Sequence, residues 1–342
     1  MTLTVARHAG DGADWDACVR SSAGGTHYHL WAWRGVLQRV FKHDCPYLAA
    51  HDEQGRLRGV LPLVRVKSLV FGHYLVSMPY LNYGGPLGTP DAVRALAAAA
   101  ADLARSDGAK LLELRSAIPL DVDLPVSHRK ITVLLELPEG DAAPLWDGLK
   151  AKVRSQVRRP MKEGVTVAFG RDQIDGFYHV FAHHMRDLGT PVQPRALFER
   201  IEAAFGENVW FGCARLDGRP IAVGCGFHWG DEFEMTWASA LASYNRIAPN
   251  MLLYWEFMAR CVREGVRTFN FGRCTPGGTT HRFKRQWGGR DVPLWWYQWS
   301  RDATAGTPSP DDGAYALGPR LWRHLPVSVA TALGPRIVRG IP

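Results

Sequence analysis

The segment FGRCTPGGTTHRFKRQWGG, residues 271–289, concentrates side chains that could do chemistry. It begins as the end of a predicted β-strand, continues as a loop rich in glycine, proline and threonine, and then reaches Phe283 and Lys284. Loops at strand ends are where α/β proteins place ligands, so we expect a binding site here. Arg273 offers the paired N–H donors that hold a phosphate or a carboxylate, and an internal salt bridge is the alternative.

Two further features of the chain suggest chemistry. Cys274 is a candidate nucleophile, because a thiolate needs a neighbouring base and His281 is close in the sequence. The segment LWDGLKAKVRSQVRRPMKEGV, residues 145–165, is helical in pattern until Pro160 and strongly basic. Arg154 and Arg158 are four residues apart and share a helix face. This face would suit phosphates, although a solvated charged helix is the simpler interpretation.

Composition limits the class of protein. The chain has 342 residues, enough for two domains, with 46% hydrophobic and 22% charged residues. Its net charge of +8 favours anionic partners. The six cysteines lack a C-x-x-C pair, which predicts reduced thiols and no metal site. The start of the chain has no apolar h-region, so we expect no signal peptide, and residues 59–81 carry too many polar side chains for a membrane span.

The two halves of the chain repeat one order of predicted elements. The first half reads as PYLAAHDEQGRLRGVLPLV (strand, turn, strand), more strand, the loop SMPYLNYGG, an alanine-rich helix and the strand AKLLELRSA. The second half repeats this order with VWFGCARLDGRPIAVGCGFHW, EFEMTWASA, ALASYNRIAP, NMLLYWEFMARCVREG and VRTFNFGRC. Alignment places Gly108 opposite Gly265, each just past a helix, where glycine adopts the left-handed C-cap conformation. The repeat predicts a duplicated α+β domain.

We predict an N-terminal domain over residues 1–145, a C-terminal domain with the basic helix over residues 146–300, and a linker with a basic amphipathic tail over residues 301–342. The segment TAGTPSPDDGA has the composition of a linker. The end, LGPRLWRHLPVSVATALGPRIVRGIP, predicts short amphipathic segments. They could contact an anionic membrane surface or pack on the body of the protein as a terminal helix.

Taken in order, the motifs KAKVRSQVRRPMKEGVTV, MRDLGTPV, PNMLLYW, FNFGRC and FKRQWGG resemble the Fem-type transferases, and THYHLWAW and SMPYLNYGG extend the resemblance into the first half. The chain is most similar to the FemAB-like proteins of PEP-CTERM/exosortase and exopolysaccharide loci, over about residues 25–300. The resemblance implies an α+β (α/β) fold of two tandem GNAT-like (acyl-CoA N-acyltransferase-like) domains with a cleft between them. It also implies an enzyme that transfers an acyl or aminoacyl group to an amine.

The resemblance assigns roles to residues of these motifs. Lys284 would be the cation that stabilises a tetrahedral oxyanion, with a surface lysine in a basic loop as the alternative. Direct aminolysis needs a deprotonated amine, for which Asp187, His183 and His184 are candidate bases, or simply a helix-end charge and two half-buried histidines. SMPYLNYGG would line the acceptor pocket or be only a tight turn. The implied substrate-binding residues are Trp33, Tyr80, Asn82, Tyr83, Gly84, Arg154, Arg158, Arg186, Thr190, Asn250, Tyr254 and Phe283.

The donor stays open between aminoacyl-tRNA and acyl-CoA, and no tightly bound cofactor is expected. A CoA site has a glycine-bearing loop before the main helix that cradles the pyrophosphate, and SYNRIAPN in the second half has no glycine. The expected acceptor is an anionic or lipid-linked cell-envelope precursor, for peptidoglycan-like or exopolysaccharide assembly. We expect a cytoplasmic protein, with peripheral contact at the inner membrane face as an option, and no DNA partner. The alternatives are an acyl-CoA-dependent N-acyltransferase acting on an amino-sugar or small amine, and a non-catalytic membrane-docking adaptor.

Overall fold

The computed structural model of the chain describes residues 2–68, 70–301 and 317–341. Its described helices, apart from short 3-10 turns, are α1 (Gly12–Ser21), α2 (Ala32–Phe41), α3 (Pro90–Ser106), α4 (Ala143–Gly148), α5 (Ala151–Lys162), α6 (Ile174–Leu188), α7 (Arg195–Phe205), α8 (Pro249–Arg263), α9 (Thr279–Arg285), α10 (Leu317–Trp322) and α11 (Val327–Val338). Its described strands are β1 (Thr4–Arg7), β2 (Leu48–His51), β3 (Leu57–Leu61), β4 (Leu63–Ser68), β5 (Gly72–Ser77), β6 (Leu87–Gly88), β7 (Leu111–Ser116), β8 (Val126–Ser127), β9 (Ile131–Glu136), β10 (Thr166–Phe169), β11 (Val209–Leu216), β12 (Arg219–Trp229), β13 (Glu232–Ala240), β14 (Thr268–Cys274), β15 (Arg290–Pro293) and β16 (Trp295–Ser300).

The chain forms two compact units. The first unit contains residues 1–130 together with the described parts of 293–312 and 336–342. The second unit contains residues 131–292 and the described part of 313–335. Each unit has a hydrophobic core of its own, built from side chains of its sheet and of the helix that packs on it.

The first unit has two sheets, with strand orders β1-β2-β3-β6 and β4-β5-β7-β16-β8. Helix α3 connects β5 to β7, which run parallel. Thr89 caps this helix by accepting the N–H of Ala92, and Pro90 begins it, as expected for a helix N-terminus. The buried face of α3 consists mostly of alanines, so the helix lies close to the leucines of the sheet.

The second unit has one seven-stranded sheet, in the order β10-β11-β12-β13-β14-β9-β15. Helix α8 connects β13 to β14, the parallel pair of this sheet, and buries Phe257 against the strands. Gly212 and Gly224 make room for that ring, because a Cβ added at either position would lie 2.6 or 2.8 Å from Phe257. Glycine in two central strands therefore sets the depth at which α8 packs.

The predicted order of elements is confirmed in both halves. Strand, turn, strand, further strand, helix and strand occur as β2 to β7 with α3, and as β11 to β14 with α8. Gly108 and Gly265 follow their helices with φ of 68° and 75°, the left-handed conformation that the alignment predicts. Gly189 ends α6 in the same conformation, as the LGTP turn suggests.

The units depart from the predicted domains 1–145 and 146–300 at both boundaries. Strand β9 lies in the predicted first domain but pairs with β14 of the second unit. Strand β16 lies in the predicted second domain but pairs with β7 and β8 of the first unit. Both strands find partners more than a hundred residues away, which no local pattern records. The described part of the predicted tail forms α10 and α11, and the linker TAGTPSPDDGA lies outside the described residues.

The basic segment also differs from its prediction. It forms two helices, α4 and α5, and α5 continues past Pro160 to Lys162. Pro160 lies in the last turn of α5, so it removes only a hydrogen bond near the end of the helix. A proline there costs much less than one in the middle of a helix.

A buried ion pair lies in the first unit where β5 and β7 stop pairing. Arg115 Nε donates to Glu113 Oε1 over 2.7 Å, and both side chains are almost completely buried. The same guanidinium donates to the carbonyl oxygen of Leu81, which holds the SMPYLNYGG loop, and lies over the ring of Trp296. Gln298 Nε2 donates to the other carboxylate oxygen. Each charge therefore has several partners, which a buried pair needs in order to be tolerated.

Replacing Arg115 by methionine should destabilise the protein by about 3–5 kcal/mol, because Glu113 would be left buried without its cation. Urea denaturation of the purified variant measures this change. The double variant Glu113→Gln with Arg115→Met should recover part of the loss. Arg94→Met is the matched control at an exposed ion pair with Asp121, for which we expect a much smaller loss of stability. If Arg115→Met and Arg94→Met lowered the free energy of unfolding equally, the structural role of the buried pair would be contradicted.

Candidate active site

The candidate site begins where two parallel strands of the second unit separate. The register of β13 and β14 contains three residue pairs, the last being Glu234 with Asn270. On its other side, β14 pairs with β9 through an irregularity between Asn270 and Arg273. Gly272 lies inside this irregularity with φ of 72°, a conformation open mainly to glycine. The end of β14 is therefore free of β13 and turned by a bulge, which leaves backbone carbonyls for other partners.

Asn270 organises this bulge. Its side-chain oxygen accepts the N–H of Gly272 at 2.8 Å and the hydroxyl of Thr132 on β9. Its amide nitrogen donates to Glu232 at the start of β13 over 2.9 Å. Asn270 is 2% exposed, so these contacts are made away from water, where hydrogen bonds hold geometry most firmly.

Lys284 places its ammonium group against the end of β14. Its Nζ donates to the carbonyl oxygen of Gly272 at 2.7 Å and to that of Arg273 at 3.0 Å. The residue is 5% exposed. Burial lowers the pKa of Lys284 from 10.5 to about 8, against the opposing effects of Cys274 and Glu234. A buried cation held by two fixed acceptors has little freedom to rearrange, which is the property of a preorganised electrostatic catalyst.

Aromatic rings surround this lysine on the side of α8. Tyr254 stacks on Phe271 with ring centroids 5.8 Å apart and meets the edge of Phe283 at 5.0 Å. Burial raises the pKa of Tyr254, so its hydroxyl stays protonated. Asn250 is one helical turn before Tyr254 on α8 and is half buried. The structure thus brings together four of the predicted site residues, Lys284, Arg273, Tyr254 and Phe283.

His281 is engaged away from Cys274. Its Nδ1 accepts the N–H of Gly277 at 3.0 Å, and its Nε2 is 3.0 Å from the carboxylate of Asp291. Cys274 itself is 6% exposed. Neither ring nitrogen of His281 is directed at the thiol, so the geometry does not support a cysteine–histidine nucleophile.

The basic face of α5 is present as predicted. Arg154, Arg158, Arg159 and Lys162 line a surface depression of about 380 Å³. Arg154 donates to the carbonyl oxygens of Asp147 and Leu149, Arg158 lies 5.0 Å from the ring of Trp146, and Arg159 donates to the carbonyl oxygen of Arg246. Within the described chain, none of these three arginines forms an ion pair with a carboxylate. Their charges are held in place but not neutralised, which suits an anionic ligand.

The residues of the MRDLGTPV motif lie at the end of α6. Asp187 accepts a hydrogen bond from Arg186 Nε at 2.7 Å, and Arg186 also donates to the carbonyl oxygen of Leu325. Asp187 and Thr190 are exposed. His184 is hydrogen-bonded to the backbone of Ala240 at the end of β13, and burial lowers its pKa. The carboxylate of Asp187 thus takes part in a helix-end ion pair, and a role as base stays a prediction.

The predicted acceptor loop of the first unit is buried. Tyr83 and Trp33 are 2% and 0% exposed, and Asn82 donates to the hydroxyl of Tyr28, whose ring packs edge-on against Tyr83. The motifs THYHLWAW and SMPYLNYGG therefore pack on each other in the first unit.

Two further residues of this loop, Gly84 and Tyr80, have surroundings that restrict which side chain fits. Gly84 has no space for a side chain, since a Cβ would lie 2.3 Å from Met78. Tyr80 donates to the carbonyl oxygen of Arg339, and burial raises the pKa of its hydroxyl. Substrate binding by these residues stays a prediction.

Sequence reasoning missed Asn270 on β14 and its neighbours Thr132 on β9 and Glu232 and Glu234 on β13. One signal was available: an asparagine in the otherwise apolar strand FNFG is costly unless it is hydrogen-bonded. The partners of that asparagine come from β9 and β13, and no spacing in the sequence connects them.

Comparisons with known proteins show related sequences and related folds. Residues 149–285 match the acetyltransferase (GNAT) domain. A UDP-N-acetylmuramoylpentapeptide-lysine N(6)-alanyltransferase from Weissella viridescens is 23% identical over 124 residues, which are 35% of this chain and 37% of that protein. The structure of FemX has a TM-score of 0.63 at 14% identity, covering 87% of this chain and 97% of that one. A tandem GNAT protein from the clavulanic acid biosynthesis pathway has a TM-score of 0.56 at 14% identity, covering 89% and 100%.

The chain therefore contains a GNAT domain, and its α/β fold is GNAT-like, as predicted. Within that superfamily it is similar in sequence to a Fem-type alanyltransferase and in fold to FemX. The GNAT domain and the alanyltransferase relative support an acyltransferase. The sequence match spans little more than a third of that relative's length.

The ammonium of Lys284 should titrate near pH 8, far below the value of a lysine in the unfolded chain. Between these two pKa values the unfolded state binds more protons than the folded state, so this group makes the free energy of unfolding rise with pH. From about pH 8 to 10.5, wild type should gain up to about 3 kcal/mol relative to Lys284→Met. Urea titrations of both proteins across this range measure the difference. If the difference in the free energy of unfolding between the two proteins did not change with pH, the burial of the ammonium group would be contradicted.

Proposed function

We propose that this protein transfers an aminoacyl group from an activated donor to the amine of a cell-envelope precursor by direct aminolysis. The observation that carries the proposal is the ammonium of Lys284, buried and held by two carbonyl oxygens at the end of β14. Acyl transfer to an amine passes through a tetrahedral oxyanion, and a fixed cation in a dry site lowers the energy of that state.

The proposed reaction balances without a covalent enzyme intermediate. The amine nitrogen forms a bond to the acyl carbon, the carbonyl oxygen becomes an oxyanion facing Lys284, and the bond to the leaving oxygen or sulfur then breaks. The amine loses one proton, and the leaving group gains one. Of the candidate bases, His184 is favoured over Asp187, because it touches the end of β13 and its lowered pKa keeps it neutral near pH 7.

The donor we favour is aminoacyl-tRNA. Helix α8 begins at Pro249, which has no N–H, and the preceding 3-10 turn Ala242–Ile247 contains no glycine. This start offers a pyrophosphate fewer backbone donors than the loop typical of CoA sites. Arg159 of α5 holds the carbonyl oxygen of Arg246 in that turn, so the un-neutralised charge of α5 lies directly beside it. A polyanionic donor suits this combination.

The acceptor is proposed from similarity. The alanyltransferase relative acts, by its name, on the lysine of UDP-N-acetylmuramoylpentapeptide. We propose an acceptor of the same kind, an amine on an anionic envelope precursor, with exopolysaccharide assembly as the setting suggested by the sequence resemblance. The GNAT domain match keeps an acyl-CoA-dependent N-acyltransferase as the second candidate function.

The donor can be identified by thermal shift. Charged tRNA should raise the melting temperature more than uncharged tRNA does, because a ligand that binds only the folded state stabilises it by mass action. Arg158→Gln should reduce this shift, and Arg105→Gln on α3 should leave it unchanged. Acetyl-CoA and longer acyl-CoAs should have no effect. A shift with an acyl-CoA and none with tRNA would instead establish the second candidate function.

Lys284→Met should reduce kcat about 10²–10³-fold, the usual loss when one oxyanion donor is removed. Transfer of radiolabelled amino acids from charged tRNA to UDP-N-acetylmuramoylpentapeptide is the assay. The donor-induced thermal shift should persist in the variant, because binding energy comes mainly from other residues. Lys67→Met, at an exposed lysine of β4, is the matched control. Full activity of Lys284→Met would refute the proposed role of this lysine.

A further inference from the structure

The end of the chain carries positive charge without compensation. The tail, defined as residues 317–341, contains four arginines, one histidine and no acidic residue. Its arginines are Arg320, Arg323, Arg336 and Arg339, and all four are exposed. In the part of the chain that the structure describes, none of them forms an ion pair. Such an excess of exposed arginine creates a field that attracts anionic surfaces.

The tail also exposes large apolar side chains. Leu321 is 71% exposed, Leu333 41% and Val329 38%. Leu188, at the end of α6, is 49% exposed, and its carbonyl oxygen accepts a hydrogen bond from Arg323 of the tail. Over the described residues, seven large hydrophobic side chains are exposed, and four of them lie in the tail or next to it. Single exposed leucines are ordinary, whereas a group beside unpaired arginines needs an explanation.

Helix α11 is fixed by one face and exposes the other. Ala330 and Val338 are buried, and Gly334 lies so close to Val192 that a Cβ would be 2.8 Å from its backbone nitrogen. Val329 and Leu333 are four residues apart on the other face, and Arg336 follows three residues later, so they form one stripe along the helix. The helix is therefore held rigidly while it presents leucine, valine and arginine outward.

Helix α6 supports both helices of the tail. Gly189, at its end, packs on Pro319 of α10. Further along, α6 and α11 share a cavity of about 270 Å³ lined by Tyr178, His183, Val327 and Thr331 among others. Helix α6 also packs on strands β12 and β13. Residues 317–335 of the tail belong to the second unit, and residues 336–341 belong to the first.

We propose that the tail docks this protein on an anionic bilayer surface, with its exposed leucines and valine inserted among the headgroups and its arginines paired with lipid phosphates. Interfacial helices bind in this way, through buried apolar area together with attraction to acidic lipids. No helix in the described residues is long and apolar enough to cross a membrane, so the proposed contact is with the surface. The inference concerns where the enzyme works and does not depend on its donor or acceptor.

Co-sedimentation with vesicles tests the proposal on the full chain. Vesicles of phosphatidylcholine containing about a third phosphatidylglycerol should bind the protein, and pure phosphatidylcholine should bind it at least tenfold less. Leu321→Ser with Leu333→Ser should lower the partition coefficient at least tenfold. Arg320→Gln and Arg323→Gln should each lower it about fivefold, and added salt should weaken wild-type binding.

A matched control separates docking from general stickiness. Val126→Ser removes an exposed valine from β8, outside the tail, and should leave vesicle binding unchanged. Melting temperatures of all variants should equal that of wild type, because the altered side chains are exposed. Absence of binding to acidic vesicles would overturn the proposal. Vesicle binding that survives the tail substitutions, or that is lost equally in Val126→Ser, would also overturn it. These outcomes do not depend on the transferase activity.

Discussion

The second unit depends on keeping a lysine ammonium out of water at the end of one strand. Burial of an unpaired ammonium is costly, and the low pKa of Lys284 expresses that cost. The cost is tolerated because two carbonyl oxygens accept hydrogen bonds from the ammonium group. Those carbonyls are available only because β14 leaves β13 after Asn270 and turns at Gly272. The bulge, the buried asparagine and the short parallel pairing are thus parts of one arrangement.

In the first unit, a buried ion pair lies at the position equivalent to the end of the β13–β14 pairing. Its parallel pair β5 and β7 also ends after three residue pairs. The sequence repeat aligns Glu113 with Asn270, and the carboxylate of Glu113 pairs with Arg115. A satisfied ion pair with several further partners has no capacity left for a reacting group. In the second unit the equivalent network leaves an ammonium whose charge is held by neutral carbonyls and can still respond to a developing anion. The duplicated halves therefore differ in electrostatics at equivalent positions of their parallel strands.

Local patterns were sufficient for the order of elements, because period-two and period-3.6 repeats and helix-ending glycines are properties of short segments. They failed for β9 and β16, whose places depend on hydrogen bonds to strands far away in the chain. Local patterns also could not show whether SMPYLNYGG lines a binding pocket or packs in the core. A loop rich in tyrosine and glycine has the same composition whether its rings face a ligand or, as with Tyr83, the ring of Tyr28. Lys284 was found through a motif, and its burial only through the structure.

The protonation states of the candidate groups are mutually consistent near neutral pH. With a pKa of about 8, Lys284 is still mostly charged at pH 7, which an oxyanion requires. Burial lowers the pKa of His184 from 6.5, so this histidine is mostly neutral at the same pH and able to accept a proton. Desolvation lowers both values, since it opposes the charged form of any base. Because the two groups start from different ordinary values, the same physical effect leaves one as a cation and the other as a base. Burial thus produces the two protonation states that the proposed direct aminolysis needs.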